Sequence, residues 1–156
     1  MFKVYEDIQA NIGRMEGDFV LPKNSYEQSF CEILNWECLP GRYYDARGHS
    51  TFIEIKKGQA AMWLDLCRYA EIYLGEGQQD TITVFIKYTK KTKRVSEIYI
   101  IDTKDLIEKL GMDANKAAMC MYLRNSASRG LNCQASLTAK DLKGISMYVI
   151  YRDNGP

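Results

Sequence analysis

The stretch Leu39–Lys56 constrains the fold more than any other part of the chain. Its two segments, near 42–47 and 51–57, read as strands, and the polar run Arg47-Gly48-His49-Ser50 between them suits a turn. Together they predict a β-hairpin. Side chains alternate along a strand, so Phe52, Glu54 and Lys56 share one face while Ile53 and Ile55 share the other. Folding back brings Asp45 beside Glu54. Two carboxylates and an ammonium then converge on one point.

That convergence makes physical sense around a cation. Two carboxylates about 4 Å apart repel by roughly 4 kcal/mol at an effective dielectric near 20. A divalent ion reverses the sign, and Lys56 offsets part of the repulsion without it. Magnesium takes oxygen ligands, keeps several waters and is often held by one or two carboxylates plus a substrate phosphate. Asp45, Glu54 and the Ile55 carbonyl are therefore candidate ligands for Mg²⁺, with Mn²⁺ as a substitute. Lys56 is placed to orient a water for attack on a phosphodiester, so the candidate catalytic set is Asp45, Glu54 and Lys56. Acid-x-Lys also occurs at Asp102-Thr103-Lys104 and Asp141-Leu142-Lys143. Both read as helix starts, where an acid caps free N–H groups, and neither is preceded by a strand carrying another acid at hairpin distance. The alternative for Glu54 and Lys56 is a solvated charged strand face.

Asp45 with Glu54-Ile55-Lys56 resembles the PD-(D/E)XK nuclease pattern. Leu39-Pro40-Gly41-Arg42 ahead of Asp45-Ala46 is similar to the PvuII-like type II restriction endonucleases of that superfamily. Glu97-Ile98-Tyr99 and Lys104-Asp105-Leu106 extend the likeness, which covers residues 24–110 in ordered pieces. The resemblance implies an α/β fold with a restriction-endonuclease-like mixed β-sheet flanked by helices. It implies a metal-dependent endodeoxyribonuclease that cuts double-stranded DNA as a homodimer. It also makes Glu27, an acid on the helix before the sheet, an auxiliary candidate; a helix-dipole role is the alternative. Two features depart from the pattern. The hairpin is one residue shorter, and Gly58-Gln59-Ala60 follows Lys56 where a His-rich base-reading segment would stand. Gln59 is the second auxiliary candidate. The chemistry is expected to carry over and the recognised sequence is not.

The rest of the chain fits one compact domain spanning 1–156. At 156 residues it is long enough for a substantial core. No apolar run approaches the ~20 residues that span a bilayer, and Glu6 and Asp7 interrupt any signal-peptide pattern, so no membrane partner is expected. Five cysteines without C-x-x-C spacing argue for free thiols in a reducing cytoplasm rather than a zinc site, with Cys31 and Cys67 in the core. The net charge of +1 is low for a DNA binder. The positive charge is local, however. Lys90, Lys91, Lys93 and Arg94 follow Lys87 with no acid before Glu97. They occupy the expected turn between two strands, either as a solvated tip or as a phosphate-contacting loop.

Periodicity predicts the remaining elements. Val4, Ile8 and Ile12 place an amphipathic helix over residues 3–15, and segment 1–22 is a candidate for dimerisation, with a core helix the alternative. Ser25 and Gln28 suit a capping box for a helix through Asn35, with Tyr26, Phe30, Ile33 and Leu34 on its apolar face. Met62, Leu66, Tyr69 and Tyr73 mark a helix over 58–74. Strands follow at 81–89 and 94–101, then helices from Thr103 to Gly111 and over 113–127, and a last strand over 145–151. Candidate DNA contacts are Arg42, Tyr43, Arg47 and His49 around the hairpin, with Lys90, Lys91, Lys93 and Arg94 at the basic turn. Arg124, Asn125 and Arg129, in a polar stretch near a helix end, complete the set, because Arg pairs with guanine and Asn with adenine. A plain loop is the alternative for that stretch. The expected function is Mg²⁺-dependent, type II-like restriction cleavage. A structure-specific DNA nuclease and a non-catalytic DNA-binding module remain as alternatives.

Overall fold

The computed structural model describes residues 2–11, 26–39, 44–75, 81–125, 134–146 and 148–151. In chain order the elements are α1 (Phe2–Ala10), α2 (Tyr26–Leu34), β1 (Glu37–Cys38), β2 (Ala46–Gly48), β3 (Thr51–Gly58) and β4 (Ala61–Asp65). Next come α3 (Leu66–Tyr73), β5 (Thr81–Tyr88), β6 (Val95–Asp102), α4 (Thr103–Lys109), α5 (Ala114–Asn125), β7 (Gln134–Thr138), α6 (Ala139–Ile145) and β8 (Tyr148–Tyr151).

Six strands form a mixed sheet in the order β1-β2-β3-β5-β6-β8, and β4 pairs with β7 separately. Only the β3/β5 pair in the large sheet is parallel. β5 and β6 are buried on both faces, which explains their near-continuous apolar sequences. On one face Ile53, Ile55, Val84, Ile86, Ile98 and Ile100 pack with Val4 and Ile8 of α1 and Phe30 and Leu34 of α2. On the other, Phe85, Tyr99 and Ile101 meet Met62, Leu64, Tyr69, Leu106, Leu137 and Leu142. This is the expected α/β architecture, a mixed sheet with helices on both faces. Val4 and Ile8 lie inside the chain's own core; Ile12 lies outside the described residues.

Parallel neighbours need a crossover rather than a tight turn. Here the connection from β3 to β5 contains β4 and α3, and it covers the face onto which Glu54 and Lys56 project. The expected helix over 58–74 is thereby corrected. Residues 61–65 form a strand with Met62 and Leu64 buried and Trp63 and Asp65 outward, and the helix starts only at Leu66. Met62 and Tyr69 also fit a helical stripe, so period alone does not separate the two readings. Asp65 separates them physically: its side chain accepts from Cys67 N and caps α3. A second correction concerns 145–151. α6 runs through Ile145 from a capping box formed by Thr138 and Asp141, and the strand begins at Tyr148. β1 and β7 did not stand out in the sequence.

Gly58 ends β3 at a position where a side chain would not fit. An added Cβ would fall against the Ala61 carbonyl oxygen and within 3.1 Å of the Phe85 ring. Gly58→Ala is therefore expected to destabilise the fold by about 1–3 kcal/mol, read as a lower midpoint in urea with an unchanged slope.

Candidate active site

β2 begins at Ala46, opposite Ile53, and Asp45 is the residue just before it. Asp45 N still donates to Ile53 O, at 3.1 Å, which holds its side chain beside the next residues of β3. The carboxylate takes the following ladder position. Asp45 Oδ2 accepts from Ile55 N at 2.7 Å. In a strand the N–H and C=O of one residue face the same edge, so the Ile55 carbonyl is turned towards Asp45 as well.

Glu54 projects from the sheet face one residue away. Lys56 Nζ lies 3.3 Å from Glu54 Oε1, and Arg68 Nη2 lies 2.7 Å from Glu54 Oε2. The second contact lacks the alignment of a hydrogen bond, so charge rather than direction holds it. Arg68 comes from the first turn of α3, brought over this face by the crossover. Its guanidinium lies 5.4 Å from the centre of the Tyr44 ring, which in turn stacks on Phe52 at 4.8 Å. Below Glu54, its β5 neighbour Thr83 joins a buried hydroxyl chain running from Tyr69 to Thr103.

Both carboxyls of the site are shifted towards their neutral forms. Burial pushes the Glu54 carboxyl up to about 7, and repulsion from Asp45 adds to this, while Arg68 and Lys56 pull it back. Asp45 is also raised, chiefly by burial and further by Glu27; the Ile55 N–H, Lys56 and Arg68 oppose the rise. Glu27 stands in the first turn of α2, so it occupies a dipole-favourable position and also bears on Asp45. Its side chain engages the Tyr26 hydroxyl, which burial and this carboxylate hold far above the usual phenol range. Lys57 Nζ lies 4.2 Å from the Tyr26 ring centre.

The other candidates lie elsewhere. Gln59 is in the bend after β3, its amide 3.4 Å from the Tyr88 hydroxyl. Arg47 is exposed over the Phe52 ring. His49, with φ of 52°, makes the hairpin turn, and its Nε2 meets Asp7 Oδ2 of α1 at 2.6 Å. The same carboxylate oxygen accepts from Trp36 Nε1. Lys90, Lys91, Lys93 and Arg94 are exposed on the β5–β6 turn. Arg124, on α5, pairs with the buried Glu71 of α3, and Asn125 ends α5. Arg42, Tyr43 and Arg129 lie outside the described residues.

The other two acid-x-Lys sequences serve as caps. Asp102 accepts from Lys104 N, and Asp141 reciprocates with Thr138. Among the described residues no group of three or more His, Cys, Asp or Glu side chains is disposed to hold a metal. Any cation at this hairpin would therefore rest on two carboxylates, a carbonyl and water. That hard-oxygen donor set suits Mg²⁺ or Mn²⁺ and not zinc. Sequence reasoning missed Arg68, because an arginine on a helical stripe carries no motif and its partner is 14 positions away. No protein-family model matches the chain, and no curated protein matches it significantly.

Proposed function

We propose that the chain is a Mg²⁺-dependent endonuclease that hydrolyses phosphodiester bonds of duplex DNA, in the manner of a type II restriction enzyme. One observation carries the reading: the Asp45 carboxylate sits on the Ile55 N–H of β3, one residue from Glu54, whose carboxylate is in contact with Lys56. Burial raises both carboxyls, and Asp45 raises Glu54 further, so neither group favours its charged form here without a cation beside it. A divalent cation held there would polarise the scissile phosphate.

Asp45, Glu54 and the Ile55 carbonyl would hold the cation. Lys56 would donate a hydrogen bond to the attacking water and favour its deprotonated form. The water oxygen bonds to phosphorus in line with the P–O3′ bond, which breaks. One proton passes from the attacking water to solvent and the 3′ oxygen takes one back, giving a 5′-phosphate and a 3′-hydroxyl. Because one chain carries one such site, cutting both strands calls for two copies, most simply a symmetric homodimer on a palindrome.

Substrate binding fits the same frame. β3 and β5 run parallel with Lys56 beside Phe85, so the basic turn at 89–94 extends beyond the Lys56 end of the sheet. Tyr88, the last residue of β5, is three residues past Phe85, roughly 10 Å along the strand, or about three base pairs of rise. A second reading, a structure-specific DNA nuclease, is favoured by the state of Arg124. With its guanidinium on the buried Glu71, it is occupied in holding α3 to α5 rather than offered to bases. Incubating the purified chain with phage DNA and with branched DNA, in Mg²⁺ or EDTA, tests both. Discrete bands from linear DNA only with Mg²⁺ are the expected result. Cleavage confined to branched DNA selects the second reading. No cleavage of either substrate in Mg²⁺ or Mn²⁺ would leave a non-catalytic DNA-binding module.

A further inference from the structure

Two cysteines meet where α2 runs into β1. Asn35 takes a left-handed conformation, with φ of 58°, and α2 ends there in a Schellman turn. Trp36 N donates to Cys31 O at 2.9 Å and Asn35 N to Glu32 O at 3.4 Å, while Phe30 meets Trp36 edge-on across the turn. The chain reverses, and β1 lies back against α2. Strand register then fixes the face that Cys38 uses. Cys38 stands opposite Ala46, and Ala46 opposite Ile53, so all three project to one side of the sheet. On that side Ala46 and Ile53 share a core cluster with Cys31. The two thiols come together there and are hydrogen-bonded to each other. Their exposure differs: Cys31 is buried, whereas Cys38, on the edge strand, is the exposed member of the described cysteines.

We propose that Cys31 and Cys38 are a thiol-redox site, which a small-molecule disulfide such as glutathione disulfide oxidises to an intramolecular bond. Cys38, open to solvent, attacks first as its thiolate. Its sulfur bonds to one glutathione sulfur, the oxidant's S–S bond breaks, and one glutathione leaves and takes up a proton. The Cys31 thiol then gives up its proton and attacks the Cys38 sulfur, and the second glutathione leaves with that proton. Two protein thiols are oxidised and one glutathione disulfide is reduced to two thiols. Burial holds the Cys31 thiol up at about 12, and the adjacent Cys38 adds to the rise, which suits Cys31 to the second, intramolecular step. In a reducing compartment such a bond is transient, forming under oxidative challenge. Leu39, next after Cys38, donates its N–H to Asp45 O at 2.9 Å. The bond would thus tie the strand leading to Asp45 onto α2, the helix that carries Glu27.

The test treats the folded chain with millimolar glutathione disulfide at pH 8, alkylates the remaining thiols and maps the peptides by mass. Glu32 and Glu37 lie between the two cysteines, so cutting after glutamate separates them unless a disulfide joins them. More than about half of the molecules should give the Cys31 and Cys38 peptides as one species, lighter by two hydrogens and parted by reductant. Cys31→Ala lacks the second thiol and should instead retain glutathione on Cys38. Cys38→Ser, a change at an exposed position, should slow oxidation of Cys31 by roughly tenfold or more. Wild-type protein that keeps glutathione on Cys38 without forming the link overturns the proposal. So does a Cys38 that stays unmodified or joins mainly to another cysteine. If Cys31→Ala does not fold, the wild-type map and Cys38→Ser decide the matter. No metal or DNA enters the measurement, so its outcome is independent of the nuclease reading.

Discussion

Lys56→Ala is expected to reduce Mg²⁺-dependent DNA cleavage by about 10³-fold while leaving the fold and DNA binding intact. The size follows from losing a proton-positioning group that acts at the attacking water, which is typically worth 10²–10⁴-fold. The fold should survive because Lys56 is a half-buried side chain on a strand whose core contacts come from Ile53 and Ile55 on the opposite face. Binding should survive because the exposed cations of the β5–β6 turn remain. The decisive measurement is single-turnover cleavage of a labelled duplex, with circular dichroism and a gel-shift assay in Ca²⁺ as controls. Cleavage at the wild-type rate would remove Lys56 from the mechanism, and loss of the circular-dichroism signal would make its role structural.

The second large effect is on stability in the absence of metal. Glu54 titrates near 7 in the folded chain against 4.5 for the ordinary carboxyl. The native state therefore holds this proton more tightly than the unfolded chain does. Such a group contributes stability that is complete below about 4.5 and is lost as pH rises through about 7. The interval of about 2.5 units corresponds to on the order of 3 kcal/mol, and Asp45, raised in the same direction, adds in the same sense. In EDTA the melting temperature should therefore fall by roughly 6–12 °C between pH 5 and pH 8. Glu54→Gln, which cannot ionise, should flatten much of that slope. A fixed millimolar Mg²⁺ concentration c should restore stability at pH 8 and have less effect at pH 5, because a cation bound only by the native state stabilises by RT ln(1 + c/Kd) and protonated carboxyls raise Kd. An unchanged slope in Glu54→Gln would mean that other groups govern the pH response.

These two experiments address different parts of the site. Cleavage reports what Lys56 does to a substrate, whereas the metal-free melt reports the cost of ionising buried Glu54 and Asp45 whether or not DNA is cut. A flat melt in EDTA combined with normal cleavage would mean that solvent reaches the carboxylates and relieves their repulsion.

Much of this was legible in the linear chain, and the reason is the range of the interactions involved. The alternation Phe52-Ile53-Glu54-Ile55-Lys56 sorts acid and amine to one face because strand geometry has a period of two, and the turn at His49 and Ser50 is closed by the residues that make it. The caps at Asp102 and Thr138 are likewise contacts within three residues, which is how the two other acid-x-Lys sequences separate from Glu54-Ile55-Lys56. The stop of α4 at Gly111, whose φ is +67°, follows the same local logic. What required the folded chain were contacts that depend on sheet order and on which face a crossover covers. β3 lies next to β5 in parallel, so β4 and α3 must pass over the Glu54 face; only then does Arg68 reach Glu54. The pairing of Arg124 with Glu71 and the approach of Glu27 to Asp45 arise in the same way, between elements distant in sequence. Period could not distinguish β4 from a helix either, because Met62 matches Leu64 in a strand and Tyr69 in a helix, until the β4/β7 pairing supplied hydrogen bonds to the strand. Local geometry thus wrote Asp45, Glu54 and Lys56 into the sequence, and long-range packing chose the cations and acids that surround them.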